Sequence, residues 1–243
     1  MKCELRLAFF LLKAYDNIRV NTCKTSLICV TLKECKCRRV MKKGNFDNFI
    51  SLNVAETIWN HFYTVAPLVV IGSKENDAYD LAPKHMLSPI GFSNYFGFVC
   101  TPRHNTYQNI KRDKKFTVSF VKPEQVLLSA LAALPRCESN NYTKEIVNNL
   151  PTIPTVDNDN IFIADAYVLL ECRLYKIIDG FDDYSIITGE IDKAFVHKDY
   201  KILSEVDPQK HIYEHPLLAY IAQGRFASIK ETFSFPYPKD FKR

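Results

Sequence analysis

The clearest strand signal in the chain is the stretch Ala166-Tyr-Val-Leu-Leu-Glu-Cys-Arg-Leu174. Every second residue from Ala166 to Leu174 is apolar, which is the spacing of a half-buried β-strand. The turn sequence Asp179-Gly-Phe-Asp-Asp183 follows, and Tyr184–Val196 has the composition of a returning strand. The sequence therefore predicts a long antiparallel hairpin in the second half of the chain.

Shorter strands are predicted upstream of this hairpin. Pro67–Ile71 is a β-branched run, and the polar stretch Lys74–Asp77 is typical of a turn that closes a hairpin. The partner strand should run over Ala78–Ala82 and end at Pro83, because proline cannot donate to a ladder. Tyr95–Cys100 is a further predicted strand.

Helices are few and short in this interpretation. Thr106–Arg112 should form a short helix capped by the side chain of Asn105 or Thr106, with Lys111–Lys115 at its solvated end. A strand over Phe116–Val121 and a helix from Pro123 to Leu134 should follow. Strands joined by hairpins, without βαβ alternation, favour an antiparallel barrel or sandwich.

Charge and cysteine are concentrated at the N-terminus. Residues 1–43 hold eleven Lys and Arg against three Asp and Glu, whereas the other 200 residues carry a net charge of −3. The body thus lacks a basic footprint for nucleic acid. We expect residues 1–45 to be a leader or disordered extension and 46–243 to be the functional domain; the alternative is a basic targeting arm.

The composition also favours a cytoplasmic protein that does not enter a membrane. No stretch offers the roughly 20 apolar residues of a membrane span, and Lys13 interrupts the apolar run Leu7–Leu12. Five of the eight cysteines precede residue 40, and the three others are isolated, as in a reducing compartment.

No metal site is predicted. Cys35 and Cys37 lack a second ligand pair at zinc-finger spacing. Asp182-Asp183 is more typical of a turn, and Pro216 follows the pair His211 and His215 at once.

Two segments are candidates for chemistry. Thr101–Asn109 places two hydroxyls, Arg103 and His104 at the start of a short helix, where free amides favour phosphate; the alternative is a solvated loop. Asp80–His85 contains Pro83, which frees nearby amides, and a Lys-His pair that suits an electron-rich ring or an anion. The alternative is a strand end whose polar side chains face water.

Taken together and in order, these segments resemble the flavin reductase-like, FMN-binding split-barrel family. The resemblance covers roughly Phe62 to Tyr200, with a weaker similarity at Pro216–Tyr220. The matching text comprises Pro67–Ile71, Leu81–His85, Phe98–Thr101, Thr106–Ile110, Leu170–Leu174 and Gly189–Ile191.

The resemblance implies a mainly β fold, an antiparallel Greek-key split β-barrel with a few short peripheral helices, which forms a homodimer with FMN near the interface. The segment that lines the isoalloxazine ring would comprise Asp80, Leu81, Ala82, Pro83, Lys84 and His85. The segment that holds the phosphate would be Thr101–Asn109, with Thr101, Arg103, His104, Thr106 and Asn109 as its candidate side chains. Cys100, just before it, would also belong to the cofactor site. Asp80 and His85 depart from the family pattern, in which Asn and a small hydroxyl residue are frequent.

The implied activity is reduction of bound FMN by NADH or NADPH, followed by electron transfer to an acceptor. His85 is the candidate catalytic side chain, because an imidazole there would lie against the ring. Two alternatives remain open: an FMN electron carrier without nicotinamide chemistry, and a β-barrel binding module without flavin.

Overall fold

The structure, a computed structural model, describes residues 46–136 and 144–238. The chain divides into two compact units, Met1–Ser51 and Leu52–Arg243. In the first unit only residues 46–51 are described, and the amide of Phe49 donates there to the carbonyl of Phe46 at 2.9 Å. The expected division into a leader (1–45) and a domain (46–243) stays a prediction, because the leader lies outside the described residues.

Strands dominate the second unit. They are β1 (Val65–Pro67), β2 (Val69–Glu75), β3 (Ala78–Lys84), β4 (Leu87–Pro89), β5 (Tyr95–Cys100), β6 (Lys115–Phe120), β7 (Thr152–Pro154), β8 (Ile161–Ile163), β9 (Val168–Phe181), β10 (Tyr184–Val196), β11 (Leu217–Ile221) and β12 (Arg225–Ile229). The helices are α1 (Asn105–Asp113), α2 (Val126–Leu131) and α3 (Pro208–Glu214), with 3-10 turns at Ile58–Asn60, Pro123–Gln125, Glu145–Asn149 and Lys198–Tyr200. No helix in the described part of the chain is long and apolar enough to cross a membrane.

Within the described residues, seven strands form one antiparallel sheet in the order β3-β2-β6-β9-β10-β5-β4. A second sheet has the order β1-β11-β12, and β7 pairs with β8. The predicted hairpin lies within the seven-stranded sheet. Its strands β9 and β10 pair from Tyr184–Phe181 to Val196–Val168, with three register shifts. Such irregularities bend a strand, and the mainly β, antiparallel prediction is confirmed.

Strand β2 is buried on both faces. Val69 and Ile71 belong to one apolar cluster, with Phe116 and with Ile110 of α1. Val70 belongs to a second cluster, with the segments that follow β6. A strand enclosed on both sides has a continuous apolar sequence rather than an alternating one, as the run before Gly72 does.

The predicted end of β3 was wrong. The strand continues through Pro83, which pairs with Val70, to Lys84, which pairs with Val69. Strand β3 lies at the edge of the sheet, where the missing amide of a proline leaves no ladder bond unmade. The ladder thus carries the candidate segment as far as the residue before His85.

Two helix predictions also need correction. The N-cap of α1 is His104, not Asn105 or Thr106, and no side chain caps this end. The helix expected from Pro123 to Leu134 is a 3-10 turn followed by α2, which ends at Leu131.

Candidate functional site

The two candidate segments meet in one open cleft of about 380 Å³. Strand β3 forms one side, and the start of α1 with the turn before it forms another. The segment after α2 and one lysine complete it. The lining residues are Asp80, Ala82, Pro83, Lys84, Arg103, His104, Asn105, Thr106, Ala133, Leu134, Pro135, Arg136 and Lys144.

A buried hydrogen bond joins the segments. The hydroxyl of Thr106 donates to Oδ2 of Asp80 at 2.8 Å, and both side chains are almost wholly buried. This bond orients the Thr106 hydroxyl, because its proton is committed to the carboxylate and only its lone pairs remain for another partner. Asp80 therefore positions Thr106 at the first turn of α1.

Two cations that the sequence analysis missed hold the same carboxylate. Arg136 Nη2 lies 3.1 Å from Oδ1 of Asp80, and Lys144 Nζ lies 3.3 Å from it. Lys144 also donates to the carbonyl of Leu81 at 2.8 Å, and burial lowers its pKa. In the sequence these two residues are only basic residues beside a polar stretch. Lys144 lies 64 residues after Asp80, so no local pattern connects that stretch to the carboxylate.

The N-terminus of α1 leaves polar groups available. It has no side-chain cap, so its first amides keep the free donors and partial positive charge of a helix N-terminus. Thr101 lies three residues before His104, the N-cap of α1. Its carbonyl accepts a hydrogen bond from the amide of His104 at 3.0 Å. The Thr101 hydroxyl is buried and has no hydrogen-bond partner among the described residues, which is unusual for a native polar group.

Arg103 and His104 reach the cleft from the turn. Arg103 is 74 % exposed and pairs with Asp183 of the β9–β10 turn at 2.8 Å, an exposed pair that contributes little stability. Burial, followed by the charge of Lys84, lowers the pKa of His104, so its neutral form dominates at pH 7.

His85 does not line this cleft. It follows the last residue of β3 and stacks on Tyr220 of β11, with ring centroids 4.4 Å apart and planes inclined by 29°. Burial and the neighbouring Lys84 lower its pKa. A stacked, neutral imidazole has one N–H donor and one acceptor, and the described residues supply His85 with no hydrogen bond.

The remaining candidates are buried in the scaffold. Leu81 is fully buried in the second apolar cluster and faces the site through its carbonyl alone. Cys100 lies in the first cluster, and burial raises its pKa. Asn109 donates to the hydroxyl of Ser73 at 3.2 Å, which attaches α1 to β2.

The weaker candidates do not assemble a metal site. His211 and His215 lie with ring centroids 5.4 Å apart, and Asp183 pairs with Arg103. In the described ranges no three His, Cys, Asp or Glu side chains form a group able to hold a metal ion. Cys35 and Cys37 lie outside these ranges.

The fold has known counterparts. The model of the flavin reductase like domain matches residues 62–226. The chain belongs to this family. The match begins at Phe62, where the resemblance began, and runs past Pro216–Tyr220, so the resemblance is confirmed. A search of curated protein sequences finds no match.

Solved structures share the fold at low sequence identity. A 2-nitrobenzoate 2-nitroreductase from Pseudomonas fluorescens is 18% identical, with a TM-score of 0.60 over 73% of this chain and 87% of its own. Flavoredoxin from Methanosarcina acetivorans is 17% identical (TM-score 0.59; 79% and 96%). An FMN-binding protein from Thermus thermophilus is 15% identical (TM-score 0.59; 77% and 98%). The split-barrel fold is thereby confirmed, and family membership makes the chain a flavin reductase-type oxidoreductase.

The residues present fit a flavin phosphate. An anion needs donors and positive charge, and the cleft offers the free amides of α1 with the side chains of Lys84 and Arg103. The unpartnered hydroxyl of Thr101, which precedes this helix end in the chain and lies outside the cleft lining, is a further buried donor.

Proposed function

We propose that the chain binds FMN with its phosphate at the start of α1 and its ring toward the end of β3. The observation that carries this proposal is the buried, unpartnered hydroxyl of Thr101 next to an uncapped helix N-terminus. A phosphate oxygen would supply the partner that both groups lack. Arg103, held by an exposed ion pair, can turn from Asp183 to the phosphate at little free-energy cost.

The charge of the cleft favours a cofactor that carries a phosphate. Among its lining residues are four cations, Lys84, Arg103, Arg136 and Lys144, and one carboxylate, Asp80. This net positive charge attracts a phosphate dianion. Asp80 ties Arg136 and Lys144 into one wall of this cleft.

The protein's part in the reaction is to bind and orient. A bound flavin supplies the hydride and electron chemistry. Asp80 fixes the hydroxyl of Thr106, and the Tyr220 stack sets the plane of the His85 imidazole. The α1 amides and Arg103 would hold the phosphate. His85, which lies outside the cleft lining, would present one N–H to the ring edge of a flavin whose ring extends past the end of β3.

We infer that NADH or NADPH is the electron donor. A Streptomyces globisporus structure with this fold, 14% identical (TM-score 0.54 over 68% of this chain), is an NADH:FAD oxidoreductase, which supports a nicotinamide donor here. The test is the visible spectrum of purified protein, followed by anaerobic addition of NADH or NADPH. Bleaching of bound flavin supports the reductase. A coloured protein that neither nucleotide bleaches is an electron carrier, and a protein that takes up no flavin is a barrel binding module.

The phosphate assignment is tested by Thr101→Val, which keeps the side-chain shape and removes the hydroxyl. We expect FMN affinity to fall about fivefold to tenfold, the effect of one hydrogen bond. The flavin-free protein should be at least as stable as the parent, because an unsatisfied buried hydroxyl is lost. Unchanged FMN affinity in a folded variant contradicts the assignment.

Arg103→Ala gives a second test of the same site. Loss of a charged hydrogen bond to the phosphate, typically ~1.5–3 kcal/mol, should lower FMN affinity about tenfold to a hundredfold. Asp183→Ala is the matched control, since it removes the present partner of Arg103 and should leave affinity equal or higher. Equal FMN affinities in the parent, Arg103→Ala and Asp183→Ala would show that Arg103 does not contact the phosphate.

We also propose a cytoplasmic homodimer with FMN near the interface. The support is the family resemblance, together with exposed apolar side chains such as Met86 and Phe92 on the segment after His85, since exposed apolar patches mark association sites. Sedimentation of the flavin-loaded protein tests it: a dimer whose dissociation releases FMN is expected, and a flavin-loaded monomer contradicts it.

A further inference from the structure

A second cavity, of about 650 Å³, shares no lining residue with the flavin cleft. We call it the tyrosine cavity. It forms where the start of β9, the end of β10, the loop 201–206 and α3 meet. Its lining includes Tyr167, Val168, Tyr200, Ile212, His215 and Leu217. Its volume falls within the range of small-molecule sites.

The cavity wall is mainly apolar. Val168, Ile212 and Leu217 are half-buried and face this space. Ile202, also in the lining, is 88 % exposed. Binding of an apolar ligand in such a concavity is favourable, because it removes apolar surface from water.

One wall is aromatic. The rings of Tyr167 and Tyr200 stack with centroids 4.9 Å apart and planes inclined by 24°. The ammonium of Lys122 lies 5.6 Å from the centroid of the Tyr200 ring and holds that ring from outside the cavity lining. Rings fixed in this way offer a planar surface on which a further ring packs by offset or edge contact.

The polar groups of the cavity are only partly used. His211 Nε2 and the carbonyl oxygen of Asp199 are 2.7 Å apart, so this nitrogen carries the proton. The imidazole of His215 touches the rings of Tyr200 and His211 but makes no hydrogen bond with any described residue. A purely apolar occupant would bury that imidazole without a partner, which is costly, so the occupant carries a polar group.

We propose that the tyrosine cavity binds a planar aromatic alcohol, a phenol of one or two rings. The ring packs against the Tyr167–Tyr200 pair, and the hydroxyl forms a hydrogen bond with His215. The aromatic wall selects a flat ring, and the unpartnered imidazole selects the hydroxyl. This site is independent of where the flavin binds.

The test is calorimetric titration of 2-naphthol into the FMN-saturated full-length protein, so that the flavin cleft is occupied. We expect saturable binding of one molecule per chain. The saturated analogue decahydro-2-naphthol, which has the same hydroxyl without a flat ring, should bind at least fivefold more weakly. No saturable binding of 2-naphthol, or equal binding of both alcohols, overturns the proposal.

Three variants locate the binding. His215→Phe keeps a ring and removes the nitrogens, and should weaken binding about fivefold to tenfold. Ile212→Trp fills the space and should abolish it. Tyr213→Ala, on the same helix but 64 % exposed and outside the lining, is the control and should bind as the parent does. Binding of 2-naphthol that survives Ile212→Trp overturns the proposal.

Discussion

At the scale of single residues, the proposed role of His85 depends on its protonation and its orientation. Its pKa is lowered by burial and by Lys84, and Tyr220 holds its ring by stacking. A neutral imidazole that donates to the ring edge of the flavin binds reduced FMN more tightly than oxidised FMN, because negative charge collects there on reduction.

His85→Ala should therefore make the midpoint potential of bound FMN more negative. A charged hydrogen bond of roughly 1.5–3 kcal/mol corresponds to about 30–60 mV for two electrons. Tyr220→Phe, which keeps the stack, is the matched control and should leave the potential unchanged. Equal potentials in His85→Ala and the parent, at full FMN occupancy, would restrict His85 to a packing role.

The lowered pKa values of His85 and His104 also predict how stability depends on pH. Each folded-state pKa lies below the usual histidine value of about 6.5, so the unfolded chain takes up protons first as the pH falls. Stability from these two groups is complete above pH 6.5 and is lost as the pH falls through their folded pKa values. Urea midpoints should decrease from pH 7.5 to 5.5, and His85→Asn with His104→Asn should flatten that decrease; a flat profile in the parent contradicts this.

At the scale of elements, the pairing of β10 with its neighbours requires Gly189. A Cβ on Gly189 would lie 2.5 Å from Cζ of Phe116, a fully buried ring of β6, and 3.1 Å from the carbonyl oxygen of Arg173. Gly189→Ala should lower the free energy of unfolding by about 1–3 kcal/mol, as overpacking does. In the double variant with Phe116→Leu the combined loss should be smaller than the sum of the single losses; strict additivity in urea denaturation would show that the two side chains do not clash.

The same scale shows what the sequence could predict. Strand β10 and the start of α1 follow local patterns, and both were located within a residue of their bounds. The end of β3 was wrongly predicted at Pro83, because a proline ends a central strand but not an edge strand. Only the strand order shows that β3 is an edge strand. The cap of α1 was misassigned because Thr106 forms a long-range bond with Asp80 instead.

Arg136 and Lys144 were missed for a related reason. A buried carboxylate needs charged or hydrogen-bonding partners, but sequence alone does not show that Asp80 is buried. The segments that approach Asp80 are set by the whole sheet, not by neighbouring residues. The two candidate segments were found because each contains a recognisable local pattern of polar residues. The residues around Arg136 and Lys144 contain no such pattern.

At the scale of the whole molecule, all strand pairing in the described chain occurs after residue 51. All helices and strands of the described chain lie in the unit Leu52–Arg243, and the family match spans 62–226. The cleft likewise uses residues from Asp80 onward. In the described chain, the contacts that form the sheet and the cleft therefore join residues of this unit.

Deleting residues 1–45 should accordingly preserve both folding and flavin binding. We expect the melting temperature to change by no more than about 2 °C, the effect of roughly 0.5–1 kcal/mol in a domain of this size, and FMN affinity to stay within twofold. Thermal unfolding followed by circular dichroism and FMN titration measure the two quantities. Gly189→Ala in the shortened chain is the control, since it must still destabilise the sheet. A shortened chain that is insoluble, or that folds without binding FMN when the full chain binds it, would mean that the N-terminal segment packs on the barrel and forms part of the functional domain.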